Sequence, residues 1–184
     1  RVPKKNMKFK KTKIKDLIVF EGRRFLDSRG YFRELFKKKV FSKEKFVFWC
    51  MSKSKKNVLR GLHLQTKNQQ AKFVSVIKGK ILDVVVDLRK NSKTFGKNYK
   101  ILLSEKNCKS IYIPKGFAHG FLGLDKENII VYGNSNYRSK TSEIGLLWND
   151  KNLSIDWPKK KFIISKKDRN NISFKEFLDK KIIV

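Results

Sequence analysis

Short apolar, β-branched stretches recur about every ten residues, each closed by Gly, Asn, Ser or Lys, a rhythm that predicts strands rather than helices. The expected strands are Ile14–Glu21, Tyr31–Val40, Phe46–Met51, Val58–Gln65, Lys72–Ile77 and Lys80–Leu88. Further along come Tyr99–Ser104, Ser110–Ile113, Gly120–Leu124, Asn128–Gly133 and Gly145–Trp148. Within Lys80–Leu88, alternation places Leu82, Val84, Val86 and Leu88 on one face. Asp83 and Asp87 share the other face with Ile81 and Val85. One face is thus core and the other mixed, as in a strand that lines a pocket. Ile77-Lys-Gly-Lys80 reads as a hairpin turn. Lys159–Asn171 reads as loop. Ser173-Phe-Lys-Glu-Phe-Leu-Asp-Lys180 carries the serine and Glu176 spacing of a capping box and predicts a short C-terminal helix. The pattern is that of an all-β sandwich or barrel, without internal repeats or a domain linker.

Composition narrows this. The 184 residues suffice for one domain with a sizeable core. Residues 1–12 read as a flexible leading segment, with Met7 a candidate start and the residues before it an upstream remnant; 13–184 read as the domain. The apolar runs are too short for a membrane span, and the N-terminus lacks the apolar core of a secretory signal. Cys50 and Cys108 are too few for a disulfide framework, which fits a reduced, cytoplasmic protein. The net charge of +30 raises the case for a nucleic-acid partner, but the excess is dispersed lysine. Nine of the 46 basic residues are arginine, the type suited to reading phosphates and bases, so no nucleic acid is expected.

Both histidines sit in dense motifs: Ser52-Lys-Ser-Lys-Lys-Asn-Val-Leu-Arg-Gly-Leu-His63-Leu-Gln65 and Ile113-Pro-Lys-Gly-Phe-Ala-His119-Gly-Phe121. Histidine suits proton transfer near neutral pH. With Arg60 three residues before the first, the pair suggests an acid–base site for an anionic substrate. Asp83 faces the pocket side by alternation, either to anchor a cation or as half of a structural ion pair. A catalytic metal commonly wants several histidines; Gln65 stands two residues after His63, and two histidines in all supply too few ligands. No metal is expected.

These motifs, together with Asp27-Ser-Arg-Gly-Tyr-Phe-Arg-Glu34, Gln70-Ala-Lys-Phe-Val74, Ser92-Lys-Thr-Phe-Gly96, Trp148-Asn-Asp150 and Ile155-Asp-Trp-Pro158, resemble those of the dTDP-4-dehydrorhamnose 3,5-epimerases. The resemblance runs from about Ile14 to Asp168. It implies a cupin-like jelly roll and a cofactor-independent epimerase that inverts C3 and C5 of a dTDP-linked 4-keto-6-deoxyhexose through an enolate. By the same resemblance His63 is the base, Asp168 its carboxylate partner, Tyr132 the acid and Lys72 the cation at the enolate oxygen. Arg60, His119, Glu143 and Lys167 are substrate-binding positions. Arg29 and Glu34 match nucleotide contacts made across to a neighbouring subunit, implying a homodimer.

The match departs at Phe48-Trp49-Cys50-Met51, where the family usually has a polar substrate-binding run. It departs also at Gly133, where lysine is common, and at Arg138, in place of a second tyrosine. A single-site 3- or 5-epimerase acting on a related nucleotide sugar, and a jelly roll that binds a nucleotide sugar without turnover, are the rival readings.

Overall fold

The computed structural model describes residues 7–38, 41, 43–158 and 161–184. Two sheets face each other. The first contains β1 (Lys8–Lys11), β2 (Ile18–Glu21), β5 (Phe48–Lys55), β7 (Lys72–Lys78), β10 (Lys109–Ile113) and β12 (Glu127–Asn134), in the order β1-β2-β10-β7-β12-β5. The second contains β6 (Val58–Gln65), β8 (Lys80–Asp87), β9 (Asn98–Ser104), β11 (Phe117–Gly123) and β13 (Glu143–Gly145), in the order β13-β6-β11-β8-β9. A hairpin of β3 (Arg24–Asp27) and β4 (Gly30–Arg33) stands apart from both. Near the C-terminus β14 (Ile163–Ile164) runs parallel to β6 and leads into helix α1 (Lys166–Arg169); α2 (Phe174–Asp179) follows. The architecture is the all-β jelly-roll sandwich with a short C-terminal helix.

Alternation along β8 explains the layering. Ile81 and Val85 point between the sheets, where they join Val74, Val76, Leu103, Ile111, Phe121 and Ile130 in a buried cluster. Val84, Val86 and Leu88 point the other way, into a second cluster with Leu62, Leu122, Leu146, Trp157, Phe174 and Phe177. Both faces are therefore core, because the C-terminal segment covers the outer side of the second sheet. An aromatic cluster of Phe20, Phe41, Phe73 and Tyr112, flanked by Phe36 and Phe46, covers the first sheet in the same way. Asp87, expected on the pocket face, instead ties the following turn together by accepting bonds from Arg89, Ser92 and Thr94.

Several expectations are corrected. Gly79 does turn the chain, at φ +79°, but β7 and β8 lie in different sheets, so the turn is a crossing and not a hairpin. A Cβ at this position would lie 2.2 Å from the Glu127 carbonyl oxygen. Within the leading segment 1–12, a strand that the pattern did not predict, β1, pairs antiparallel with β2; residues 1–6 lie outside the described residues. The stretch expected as loop, 159–171, contains β14 and α1. The strand expected over Tyr31–Val40 ends at Arg33, and residues 39 and 40 lie outside the described residues. Among the described residues no helix is long and apolar enough to cross a membrane.

The capping box of α2 forms as the sequence predicts: Ser173 Oγ accepts from the Glu176 N–H, and Glu176 accepts from the Ser173 N–H. Phe177, 2% exposed, anchors the helix on the second sheet. Ser173→Ala is expected to cost about 1 kcal/mol and Phe177→Ala about 3–5 kcal/mol in urea denaturation. Equal and negligible losses would show that α2 does not hold the C-terminal cover in place.

Candidate active site

The site begins with two glycines. Gly61 on β6 has φ +114°, and a Cβ there would lie 2.6 Å from the Gly120 Cα. A Cβ at Gly120 would lie 2.7 Å from the Arg60 carbonyl oxygen. β6 and β11 thus approach closer than side chains allow, with a register shift between His119 and Phe121. In that register His63 and His119 are direct cross-strand partners.

Each ring is held by a carboxylate. His63 Nε2 lies 2.6 Å from Asp168 Oδ1, and the Gly61 N–H donates to Asp168 Oδ2 at 3.3 Å. The Asp168 N–H in turn donates to Ser165 Oγ, the N-cap of α1, so the turn that starts the helix also sets the carboxylate. Burial opposes ionisation of Asp168, but the His63 bond and charge outweigh it, with the Gly61 N–H and Ser165 assisting, and its pKa falls below the usual carboxylate range. Asp168 is therefore ionised, and Nε2 of His63 carries the shared hydrogen. The side chain of His63 remains 29% exposed against 5% for Asp168. His119 Nε2 is similarly 2.8 Å from Asp83 Oδ2, both residues buried. Asp83 is thus half of a buried pair with histidine.

The facing wall comes from the first sheet. Tyr132 on β12 shares a 2.8 Å hydrogen bond with Ser52 Oγ on β5. Burial pushes its phenol pKa above the ordinary value, and the Ser52 bond offsets this only in part. Its ring meets that of His119 edge-on, with centroids 6.4 Å apart. Lys72 on β7 is register partner to Asn134 on β12, and burial depresses its ammonium pKa while the charge of Glu143 opposes the fall. Glu143 itself accepts from Arg138 at 2.9 and 3.2 Å and is ion-paired with Lys167. Burial works against its charge, but these two cations prevail and hold its pKa at about 2. Arg60 is braced by Ser54 Oγ at 3.0 Å. A cavity of about 650 Å³ is lined by His63, Asp168, Tyr132, Lys72, His119, Arg60, Glu143 and Lys167 together. A carboxylate-held histidine and a phenol from opposite sheets thus share one cation-rich cavity.

A family model for dTDP-4-dehydrorhamnose 3,5-epimerase matches residues 11–176. The chain belongs to that family. It is 45% identical over 170 residues to a dTDP-4-dehydrorhamnose 3,5-epimerase of Shigella flexneri, covering 89% of this chain and 94% of the relative. The crystal structure of the dTDP-4-dehydrorhamnose 3,5-epimerase of Elizabethkingia anophelis matches with a TM-score of 0.85 at 44% identity, over 92% of this chain and 97% of that one. A Legionella pneumophila dTDP-6-deoxy-D-glucose-3,5-epimerase, solved in complex with dTDP-4-keto-L-rhamnose, matches with a TM-score of 0.91 at 35% identity over 97% of both chains. The chain is therefore a member of an isomerase family.

Within this epimerase-family fold, the departures seen in the sequence turn out to be neighbours. Phe48, Cys50 and Met51 line the cavity, whereas the Trp49 ring lies on Gly133, its cross-strand partner. A Cβ at Gly133 would lie 2.8 Å from that ring, so Trp49 occupies the space a side chain at 133 would need. Arg138, in place of tyrosine, is the residue that grips Glu143 in two places. Arg29 and Glu34 are not in this cavity. Arg29 sits on the β3–β4 turn, paired with Asp27 and 88% exposed, and Glu34 pairs with Lys37. Sequence reasoning assigned no role to Ser52, Ser165 or Asn134. Ser52 and Asn134 were reachable by stepping two residues from Cys50 and Tyr132 along their strands.

The depressed pKa of Glu143 carries a pH signature. Its folded value, about 2, lies below the ordinary 4.5, so the stability it contributes is complete above about pH 4.5 and is lost as pH falls towards 2. Urea midpoints of wild type and Glu143→Gln should differ most near neutrality and converge in acid. A gap that stays constant down the acid range would contradict the ion-pair cluster.

Proposed function

We propose that this protein epimerises both C3 and C5 of a dTDP-linked 4-keto-6-deoxyhexose, using neither cofactor nor metal. The observation that carries the proposal is the placement of His63, held by Asp168 of α1, on one sheet and Tyr132 on the other, across a single cavity that also holds Lys72. The ketone at C4 acidifies the adjacent C–H bonds. With Asp168 holding Nε2–H, Nδ1 of His63 is the atom that takes the proton from carbon, and the carboxylate stabilises the imidazolium that results. The charge moves to the ketone oxygen, where the Lys72 ammonium stabilises the enolate. Tyr132 then protonates the carbon from the opposite face, inverting it. Because the base and the acid stand on opposite walls, return of the proton to the other face is the natural outcome.

His119, Arg60, Glu143 and Lys167 are read as substrate contacts, and the excess of cations at the cavity suits a nucleoside diphosphate. Arg29 and Glu34 are read as contacts to the site of a second subunit. The β3–β4 hairpin supports a homodimer: it stands outside both sheets and leaves Leu26 76% and Phe32 64% exposed beside Arg29. A cytoplasmic setting belongs to the same proposal and agrees with free thiols at Cys50 and Cys108.

The test is incubation with dTDP-4-keto-6-deoxyglucose in D2O, following deuterium at C3 and C5 by NMR. Wild type should label both carbons, and His63→Ala should lose roughly 10²–10⁴-fold in rate. Label at one carbon alone would reduce the activity to single-site epimerisation. Binding of the nucleotide sugar with no label would leave a binding module.

A further inference from the structure

Tyr132 cannot deliver its proton well without help, and the structure shows where help lies. Its phenol is buried, and the charge of the buried Asp83 further disfavours a negative charge on it. Asp83 Oδ1 is a buried oxygen with no hydrogen-bond partner among the described residues, its other oxygen being held by His119. Arg60 favours the phenolate from a distance, yet its guanidinium is engaged by Ser54 Oγ and the Lys53 carbonyl. Ser52, in contrast, is in direct contact, its Oγ 2.8 Å from the phenol oxygen. In the β5–β12 register Tyr132 pairs with Cys50 and Ile130 with Ser52. Ser52 therefore lies one pleat from the Cys50–Tyr132 pair, on the same face, and all three line the cavity.

We propose that Ser52 is a positioning residue for Tyr132: its hydroxyl donates to the phenol oxygen, aims the phenolic hydrogen at substrate and steadies the phenolate that remains. The proposal rests on the reading of Tyr132 as the acid. In the step itself the enolate electron pair forms the new C–H bond with the phenolic hydrogen, and the O–H bond of Tyr132 breaks. Ser52 keeps its own proton throughout and contributes one hydrogen bond, which becomes charge-assisted as the phenolate forms. The proton collected by His63 passes to water and Tyr132 takes one from water, so nothing is consumed. An interaction that strengthens only as charge develops belongs in kcat rather than KM.

The experiment compares wild type, Ser52→Ala and Ser52→Thr in D2O, measuring kcat, KM and the deuterium found in recovered substrate relative to product. Recovered label reports carbanions that were reprotonated without inversion. Ser52→Ala should lower kcat about ten- to a hundredfold with KM within about twofold, and should raise the ratio of substrate label to product several-fold. Ser52→Thr, which keeps the hydroxyl, should restore most of both. An unchanged kcat in Ser52→Ala, a fall in kcat at an unchanged labelling ratio, or a threonine variant no better than alanine would each overturn the proposal while leaving the epimerase reading intact. Wild type that labels neither carbon would overturn that reading, and this proposal with it.

Discussion

The rest of the site depends on one short contact between residues 105 positions apart, His63 on β6 and Asp168 at the start of α1. A histidine base needs its far nitrogen held, and a buried carboxylate needs donors to stay ionised. Each meets the other's requirement, with the Gly61 N–H supplying a second donor to Asp168. The contact exists only because the C-terminal segment returns across the second sheet. β14 pairs in parallel with the beginning of β6, Ser165 caps the next turn, and Phe174 and Phe177 bury themselves against the leucines of the same sheet. Stability of the C-terminal cover and positioning of the His63 ring are therefore one problem, and burial of apolar surface is its main driving force.

Charge follows the same economy. The cavity is bordered by Arg60, Lys72, Arg138 and Lys167, and its two lining carboxylates, Glu143 and Asp168, are both paired, while Asp83 behind His119 has one oxygen bonded to that ring. Glu143 is shared between Arg138 and Lys167, Asp168 holds His63, and Asp83 holds His119. What remains for a ligand is net positive, as an anionic nucleotide requires. The depressed ammonium of Lys72 arises from burial in that wall, which also strengthens the field its charge exerts inside the cavity.

Much of this is written locally in the chain. Alternation along Lys80–Leu88 placed Val84 and Val86 opposite Ile81 and Val85 because a strand has no other way to distribute side chains. The capping box of α2 was readable since its two partners are three residues apart. The features that were missed are non-local or apolar-poor. Gly79 turns the chain between sheets, and nothing in Ile77–Lys80 distinguishes that from a hairpin. β1 is fully exposed and lysine-rich, so no hydrophobic pattern marks it. β14 is two residues long, recruited by the edge of β6 rather than by its own propensity. The partnership of His63 with Asp168 was visible only by resemblance to a family, because sequence spacing carries no trace of it. Ser52 escaped notice for the opposite reason: it lay inside a recognised motif, where neighbouring residues drew the argument.

The most direct test of the account is the tautomer of His63, read by long-range ¹⁵N–¹H NMR in mildly alkaline buffer. The chain has two histidines, so a His119→Asn variant assigns both spectra. The account predicts hydrogen on Nε2 and a bare Nδ1 in wild type, with that preference lost in Asp168→Ala. Hydrogen on Nδ1 in wild type, or a tautomer indifferent to Asp168, would contradict it.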